Sequence, residues 1–156
     1  MIPDRKVIKD LFEGLLGREV SVADGTPVDI GIPKPVVASY VDDTHRLRAV
    51  VLMDLALAAR SGAAIALVPK GAADDSIDNQ LLAPNLFDNA SEICNVMAAG
   101  LGDAMEVHLR LSESYAPSDP LPATVFAVAN QAGGREDLKL EISGYGPGAL
   151  SIVPAF

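Results

Sequence analysis

An α+β fold, with helices packed on a largely antiparallel sheet, follows from three features of this sequence. Apolar residues recur at helical spacing near residues 4–16 and again at 84–103. Between and after these segments lie strand-like runs in pairs, joined by short polar or glycine-rich turns, which is how antiparallel hairpins are written. The 156 residues, 49% hydrophobic and 21% charged, show no internal repeat or linker, so 1–156 reads as one domain able to bury its own core.

In chain order, Val7, Ile8, Leu11, Phe12, Leu15 and Leu16 form the apolar stripe of a first helix, with Asp4 as N-cap and Gly17 as its stop. Arg18 to Ala23 alternates as a strand does, and three prolines hold Thr26 to Pro35 in loop and strand-edge conformations. Val36–Val41 and Leu47–Met53 are strands of a hairpin whose turn is Asp42-Asp43-Thr44-His45. Asp54 to Val68 is rich in Ala and Leu and predicts a helix, weakened by Gly62 and ended by Pro69. Lys70 to Gln80 is small, polar and acidic and reads as a surface loop with Asp74, Asp75 and Asp78 solvated. A long helix follows from about Pro84 to Asp103. Beyond it come a strand over Val107–Ser112, a proline-punctuated bend from Ala116 to Pro122, an apolar segment Ala123–Ala129, and a strand pair, Leu138–Ser143 and Ala149–Val153, turned at Gly144–Gly148.

Composition narrows the functional classes. Twelve Lys and Arg stand against 21 Asp and Glu, a net charge of −9, so a phosphate backbone is repelled and nucleic acid is not an expected partner. The lone Cys94 forms no internal disulfide and no multi-thiolate metal site, and no signal peptide is evident, so a reducing cytoplasm is expected. The apolar stretch Val50–Val68 is interrupted by Asp54, Arg60 and Ser61, which argues against a membrane span. Aromatic residues are only 4%, too few for stacking platforms.

The helix over Pro84–Asp103 separates into two faces on a wheel of about 100° per residue. Leu86, Ala90, Ile93, Cys94, Met97 and Leu101 fall on one side and form its buried stripe. Asp88, Glu92 and Asn95 share the other side at i, i+4 and i+7, and Ala99 extends their line. Ala99, Gly100 and Gly102 have little side chain, so a second surface can approach the backbone there. Spacing alone leaves open whether Glu92 and Asn95 do more than solvate this face.

The run Asp88-Asn-Ala-Ser-Glu92-Ile-Cys-Asn95 resembles the signature of the CheC/CheX/FliY family of chemotaxis phosphatases: Asp or Ser, three residues, Glu, two residues, Asn. The small, apolar continuation Val96-Met-Ala-Ala-Gly100 is similar as well. The family has a proline a little over twenty residues downstream of the motif; Pro117 and Pro120 both stand near that place, neither in exact register. The motif occurs once, so single-motif, CheX-like members are the nearer comparison. The resemblance implies a CheC/CheX-like α+β fold, a homodimer, and hydrolysis of the aspartyl phosphate of a CheY-like response regulator. It implies Glu92 and Asn95 as catalytic residues, and Asp88 and Ala99 as partner contacts. No cofactor of the chain's own is expected; Mg2+ is expected on the regulator. An amide such as Asn95 can hold a water for in-line attack without ionising, while Glu92 would pair with a lysine of the regulator. Asp88 either contacts the regulator or favours the helix N-terminus electrostatically. Two other readings stay open: a non-catalytic module that binds a response regulator or a flagellar switch component, and a structural domain that dimerises through a sheet edge.

Other residues carry less. His45 and His108, 63 residues apart with no cysteine or two-histidine helix motif nearby, read as turn and strand residues rather than metal ligands. Gly144-Tyr-Gly-Pro-Gly148 lacks the strand-to-helix context of a phosphate loop and reads as a β-turn. Cys94, on the buried face, reads as a packing residue.

Overall fold

A computed structural model describes residues 2–155. The elements in order are α1 (Arg5–Leu16), β1 (Val20–Asp24), β2 (Val36–Val41), β3 (Leu47–Met53), α2 (Leu55–Ile65), α3 (Lys70–Asp78), α4 (Pro84–Met105), β4 (Arg110–Tyr115), α5 (Ala123–Ala129), β5 (Glu136–Ile142) and β6 (Gly146–Pro154). The strands form one sheet in the order β1-β5-β6-β3-β2-β4, and every neighbouring pair is antiparallel. This is the α+β arrangement that the hairpins and amphipathic helices predict.

Local chemistry sets the boundaries. The Asp4 carboxylate accepts from the Val7 amide at 3.0 Å and opens α1, and Gly17 closes it in the left-handed conformation, its N–H donating to the Glu13 carbonyl. Asp54 caps α2 by accepting from the Leu57 amide at 2.8 Å, and the same Oδ1 accepts from the Ala149 amide of β6 at 3.0 Å. One carboxylate thus starts a helix and ties it to the middle of the sheet.

The main core lies between one sheet face and α1, α2 and α4, where Phe12, Leu57, Ile93, Met97, Tyr40 and Leu150 are fully buried. A smaller core covers the opposite face, where Val37, Val50, Leu52 and Val153 pack against Val28 and against Val125 and Ala129 of α5. With both faces covered, all six residues of β2 are buried, which explains a sequence apolar but for Ser39 and the Tyr40 hydroxyl.

Several expected elements differ. Lys70–Gln80 is largely helical rather than loop: α3 runs to Asp78 against α2, with a Lys70–Asp74 ion pair of 2.9 Å along it. It buries only Ala73 and Ser76, and so small a face leaves no hydrophobic periodicity to read. Ala123–Ala129 is a helix, seven residues long and too short to show its period. The fourth strand begins at Arg110, not Val107, because α4 continues to Met105 and ends with Glu106 at φ 58° and the Val107 amide donating to the Gly102 carbonyl. His108 accordingly precedes the strand. The last turn is tighter than Gly144–Gly148: Pro147 and Gly148 already pair with Glu141 and Leu140 in the β5–β6 ladder.

Candidate functional site

The long helix α4 is held on three sides. Against α2, the Asn89 amide Nδ2 donates to the Gly62 carbonyl at 2.9 Å, and Gly62 lies so near the Leu86 carbonyl that a Cβ there would stand 2.4 Å from its oxygen. Against β4, the Ser91 and Ser114 hydroxyls meet in a short hydrogen bond. Against β2, the Tyr40 hydroxyl donates to the Cys94 carbonyl at 2.6 Å. Tyr40 is fully buried, and burial lifts its pKa well above the ordinary phenol value, so it stays a donor. Its bond falls on the residue before Asn95. The three tethers bracket the segment Asn89–Cys94 on which Glu92 sits.

The remaining face is open. Asp88, Glu92, Asn95 and Ala99 are all exposed, while Leu86, Ala90, Ile93, Cys94, Met97 and Leu101 are buried. The side chains of Asp88, Glu92 and Asn95 have no hydrogen-bond or ion-pair partner among the described residues, in contrast to neighbouring Asn89 and Ser91. Nor does α4 contain any Lys, Arg or His, so nothing on the helix itself neutralises its carboxylates. Glu92 and Asn95 are three residues apart, about 4.5 Å along the axis. Such a pair, on a rigid support and without partners of its own, presents one anion and one amide donor–acceptor to an approaching surface.

Two details refine the sequence reading. Asp88 is the fifth residue of α4, beyond the first turn in which the helix dipole is effective, so the N-terminal electrostatic role is not supported and the contact role remains. Gly102 is not an open flank: it is buried, and a Cβ on it would stand 2.6 Å from the Val107 carbonyl oxygen. Gly100 has only the Leu11 Cδ1, at 3.8 Å, near the place of its missing Cβ. Of the two prolines, Pro117 lines a groove that Phe87 of α4 also lines, and Pro120 does not.

The other candidates fall elsewhere. His45 occupies the β2–β3 turn with φ 64°, accepting from Arg110 at 2.6 Å through Nδ1, and His108 Nδ1 lies 2.6 Å from the Asp43 carboxylate on the exposed surface. Among the described residues no group of three or more His, Cys, Asp or Glu side chains is placed to hold a metal ion. Cys94 is buried, which pushes its thiol up to about 12, well above the range of a nucleophilic cysteine. No helix of the described residues is long and apolar enough to cross a membrane. Sequence reasoning missed Tyr40 and Ser114. Each lies on a strand distant in sequence from the helix it tethers, and nothing in α4 itself announces them.

No protein-family model matches the sequence, and no curated protein matches it. Solved structures do match by shape. The FliM middle domain from H. pylori superposes with a TM-score of 0.60 at 7% identity, covering 96% of this chain and 88% of that one. A chain of the CheX–CheY–BeF3–Mg2+ complex from Borrelia burgdorferi gives 0.56 at 10% identity, covering 97% and 94%. The chemotaxis protein CheX from Vibrio vulnificus gives 0.53 at 10% identity, covering 96% and 95%. At such identities the likeness is one of fold, and the chain has the α+β fold common to these CheX and FliM structures.

Proposed function

We propose that this chain accelerates hydrolysis of the aspartyl phosphate of a CheY-like receiver domain, with the exposed face of α4 as its working surface. The observation that carries the reading is the pair Glu92 and Asn95, one turn apart, exposed and unpartnered on a helix tethered through Asn89, Ser91 and Cys94. A receiver's phosphoryl group sits beside a Mg2+ bound by the receiver itself, so a partner need supply little beyond position and electrostatics. The Asn95 amide accepts from a water and donates to its lone pair, holding it in line with phosphorus. Glu92 pairs with a lysine at the receiver's phosphorylation pocket and fixes the approach. Asp88, one turn further back, and Ala99, one turn beyond Asn95, extend the contact, and Pro117 lies near the Asp88 end. The fold likeness to a chain of a CheX–CheY complex bearing BeF3 and Mg2+ supports the same reading.

A second reading, a module that binds a receiver or a flagellar switch component without hydrolysis, draws support from the FliM middle domains among the fold neighbours. Both readings entail a cytoplasmic protein. The first also entails a homodimer, checked by sedimentation of the purified chain. The deciding experiment follows dephosphorylation of a phosphorylated CheY-like receiver at fixed Mg2+ with the wild-type chain and with Asn95→Ala. Acceleration by wild type, lost in Asn95→Ala while binding persists, supports the phosphatase; binding by wild type without acceleration supports the module.

A further inference from the structure

Among the described residues Tyr40 is the largest fully buried side chain, and it stands where both ladders of its strand slip. Against β3, Tyr40 pairs with Ala49 and Val41 with Leu47, which leaves Arg48 without an opposite residue. Against β4, Ser39 pairs with Glu113 and Tyr40 with Leu111, which leaves out Ser112. Two bulges thus flank one residue, and a bulge is a local change of twist that re-aims side chains. The hydroxyl that results from this setting donates to the Cys94 carbonyl of α4 at 2.6 Å. Packing alone does not call for it, because a phenylalanine would fill the same space with no polar atom to satisfy.

The Cys94 carbonyl and the Asn95 N–H belong to one planar peptide unit, so a bond that holds the carbonyl also holds the chain where it enters the Asn95 Cα. As a carbonyl within α4 it already accepts from the Ala98 amide, and the phenol takes its second lone pair. The other tethers, at Asn89 and Ser91, grip the helix one to two turns before Asn95. We propose that Tyr40 is a positioning residue for the receiver reaction: through the Cys94 carbonyl it sets the orientation from which the Asn95 amide holds the attacking water. This rests on the phosphatase reading above and adds to it a buried part. Tyr40 touches neither water nor receiver, so its loss leaves docking through Glu92 unchanged and lowers turnover. Misplacing a reacting group by about 1 Å costs about a hundredfold; the two remaining tethers hold the shift to a fraction of that, and the loss to about tenfold.

The test compares Tyr40→Phe with Tyr145→Phe. Tyr145, in the β5–β6 turn, is also buried, and its hydroxyl donates to the Val68 carbonyl at 2.6 Å. Both variants lose one phenol-to-carbonyl bond of the same length, and only one of those bonds ends on α4. Dephosphorylation of a phosphorylated CheY-like receiver at fixed Mg2+ is followed over a range of receiver concentrations, and hydrogen exchange of the Ala98 amide reports on the helix locally. The expected result is a kcat about tenfold lower in Tyr40→Phe with half-saturation unchanged, the signature of an interaction realised in the transition state. Tyr145→Phe keeps the wild-type kcat, and Ala98 exchanges faster in Tyr40→Phe than in Tyr145→Phe. Wild-type turnover in Tyr40→Phe, equal slowing in both variants, a raised half-saturation in place of a lowered kcat, or identical Ala98 exchange overturns the proposal and leaves the phosphatase reading standing. No acceleration by the wild-type chain removes that reading and this inference with it.

Discussion

Replacing Gly62 by alanine tests whether α4 is set in place by its contact with α2. A Cβ at position 62 would stand 2.4 Å from the Leu86 oxygen and 3.2 Å from its carbonyl carbon, whereas an ordinary carbon–oxygen contact needs about 3.3–3.6 Å. The helices must therefore part by about 1 Å, because the obstacle is helix backbone and cannot swing aside. Alanine gains about 1 kcal/mol of helix propensity over glycine. Against this stand an overpacking cost of about 1–3 kcal/mol and about 1 kcal/mol for the strained Asn89–Gly62 hydrogen bond. The balance is a loss of about 1–3 kcal/mol. With a urea slope of about 2 kcal/mol/M, the unfolding midpoint falls by roughly 0.5–1.5 M. Equilibrium urea unfolding followed by far-UV circular dichroism measures it. A midpoint that rises, as propensity alone dictates, would refute the close contact and with it the account of how α4 is positioned.

Glu92→Gln removes an exposed, unpaired carboxylate, so stability should change by less than about 0.5 kcal/mol while affinity for a phosphorylated receiver, measured by calorimetry, drops about tenfold; unchanged affinity would remove Glu92 from the docking face. Asp42 receives hydrogen bonds from the Thr44 hydroxyl at 2.6 Å, from the Thr44 and Arg46 amides, and from Arg48, and these hold its carboxyl far below the usual carboxylate range. A folded-state pKa below the unfolded value of about 3.9 gives stability that is present at neutral pH and lost as pH falls below about 4 toward the folded value. Thermal melts from pH 7 to 3 should show that Asp42→Asn, already destabilised at pH 7, loses less on acidification than wild type. With its thiol near 12, Cys94 is about one part in ten thousand thiolate at pH 8, so iodoacetamide labelling should wait on unfolding and accelerate with urea; prompt labelling in native buffer would contradict the burial.

How much of this was legible in the sequence depends on how much apolar surface each element buries. In α1 and α4 a wide apolar stripe repeats over several turns, and the wheel of α4 places Leu86, Ala90, Ile93, Cys94, Met97 and Leu101 inside and Asp88, Glu92, Asn95 and Ala99 outside as observed, though not Gly102, which is buried. The β2–β3 hairpin is equally plain, its strand limits falling at Val36–Val41 and Leu47–Met53. By contrast α3 leans on α2 through Ala73 and Ser76, which carry no hydrophobic signal, and α5 is apolar at every position but Thr124. The smaller core was hidden for another reason: Val28 and Val37, Val125, and Val153 come from three separate parts of the chain and meet only once the sheet exists. The same holds for the site. Exposure of Glu92 and Asn95 could be read from one helix, but the tether at Tyr40 and the groove at Phe87 depend on segments brought together from across the chain.

The strand order also bears on how the chain comes off the ribosome. β6 pairs with β3 on one side and β5 on the other, so the sixth strand of this sheet in chain order is an interior one, and β1 reaches the rest of the sheet only through β5. Until β6 is made, the β3 edge from Ala49 to Met53, apolar throughout and buried in the finished fold, has no neighbour on that side. An open apolar edge of this kind recruits strands from other chains. The nascent domain is therefore most exposed to aggregation before β6 emerges, and disrupting β6 would split the sheet through the centre rather than trim its border.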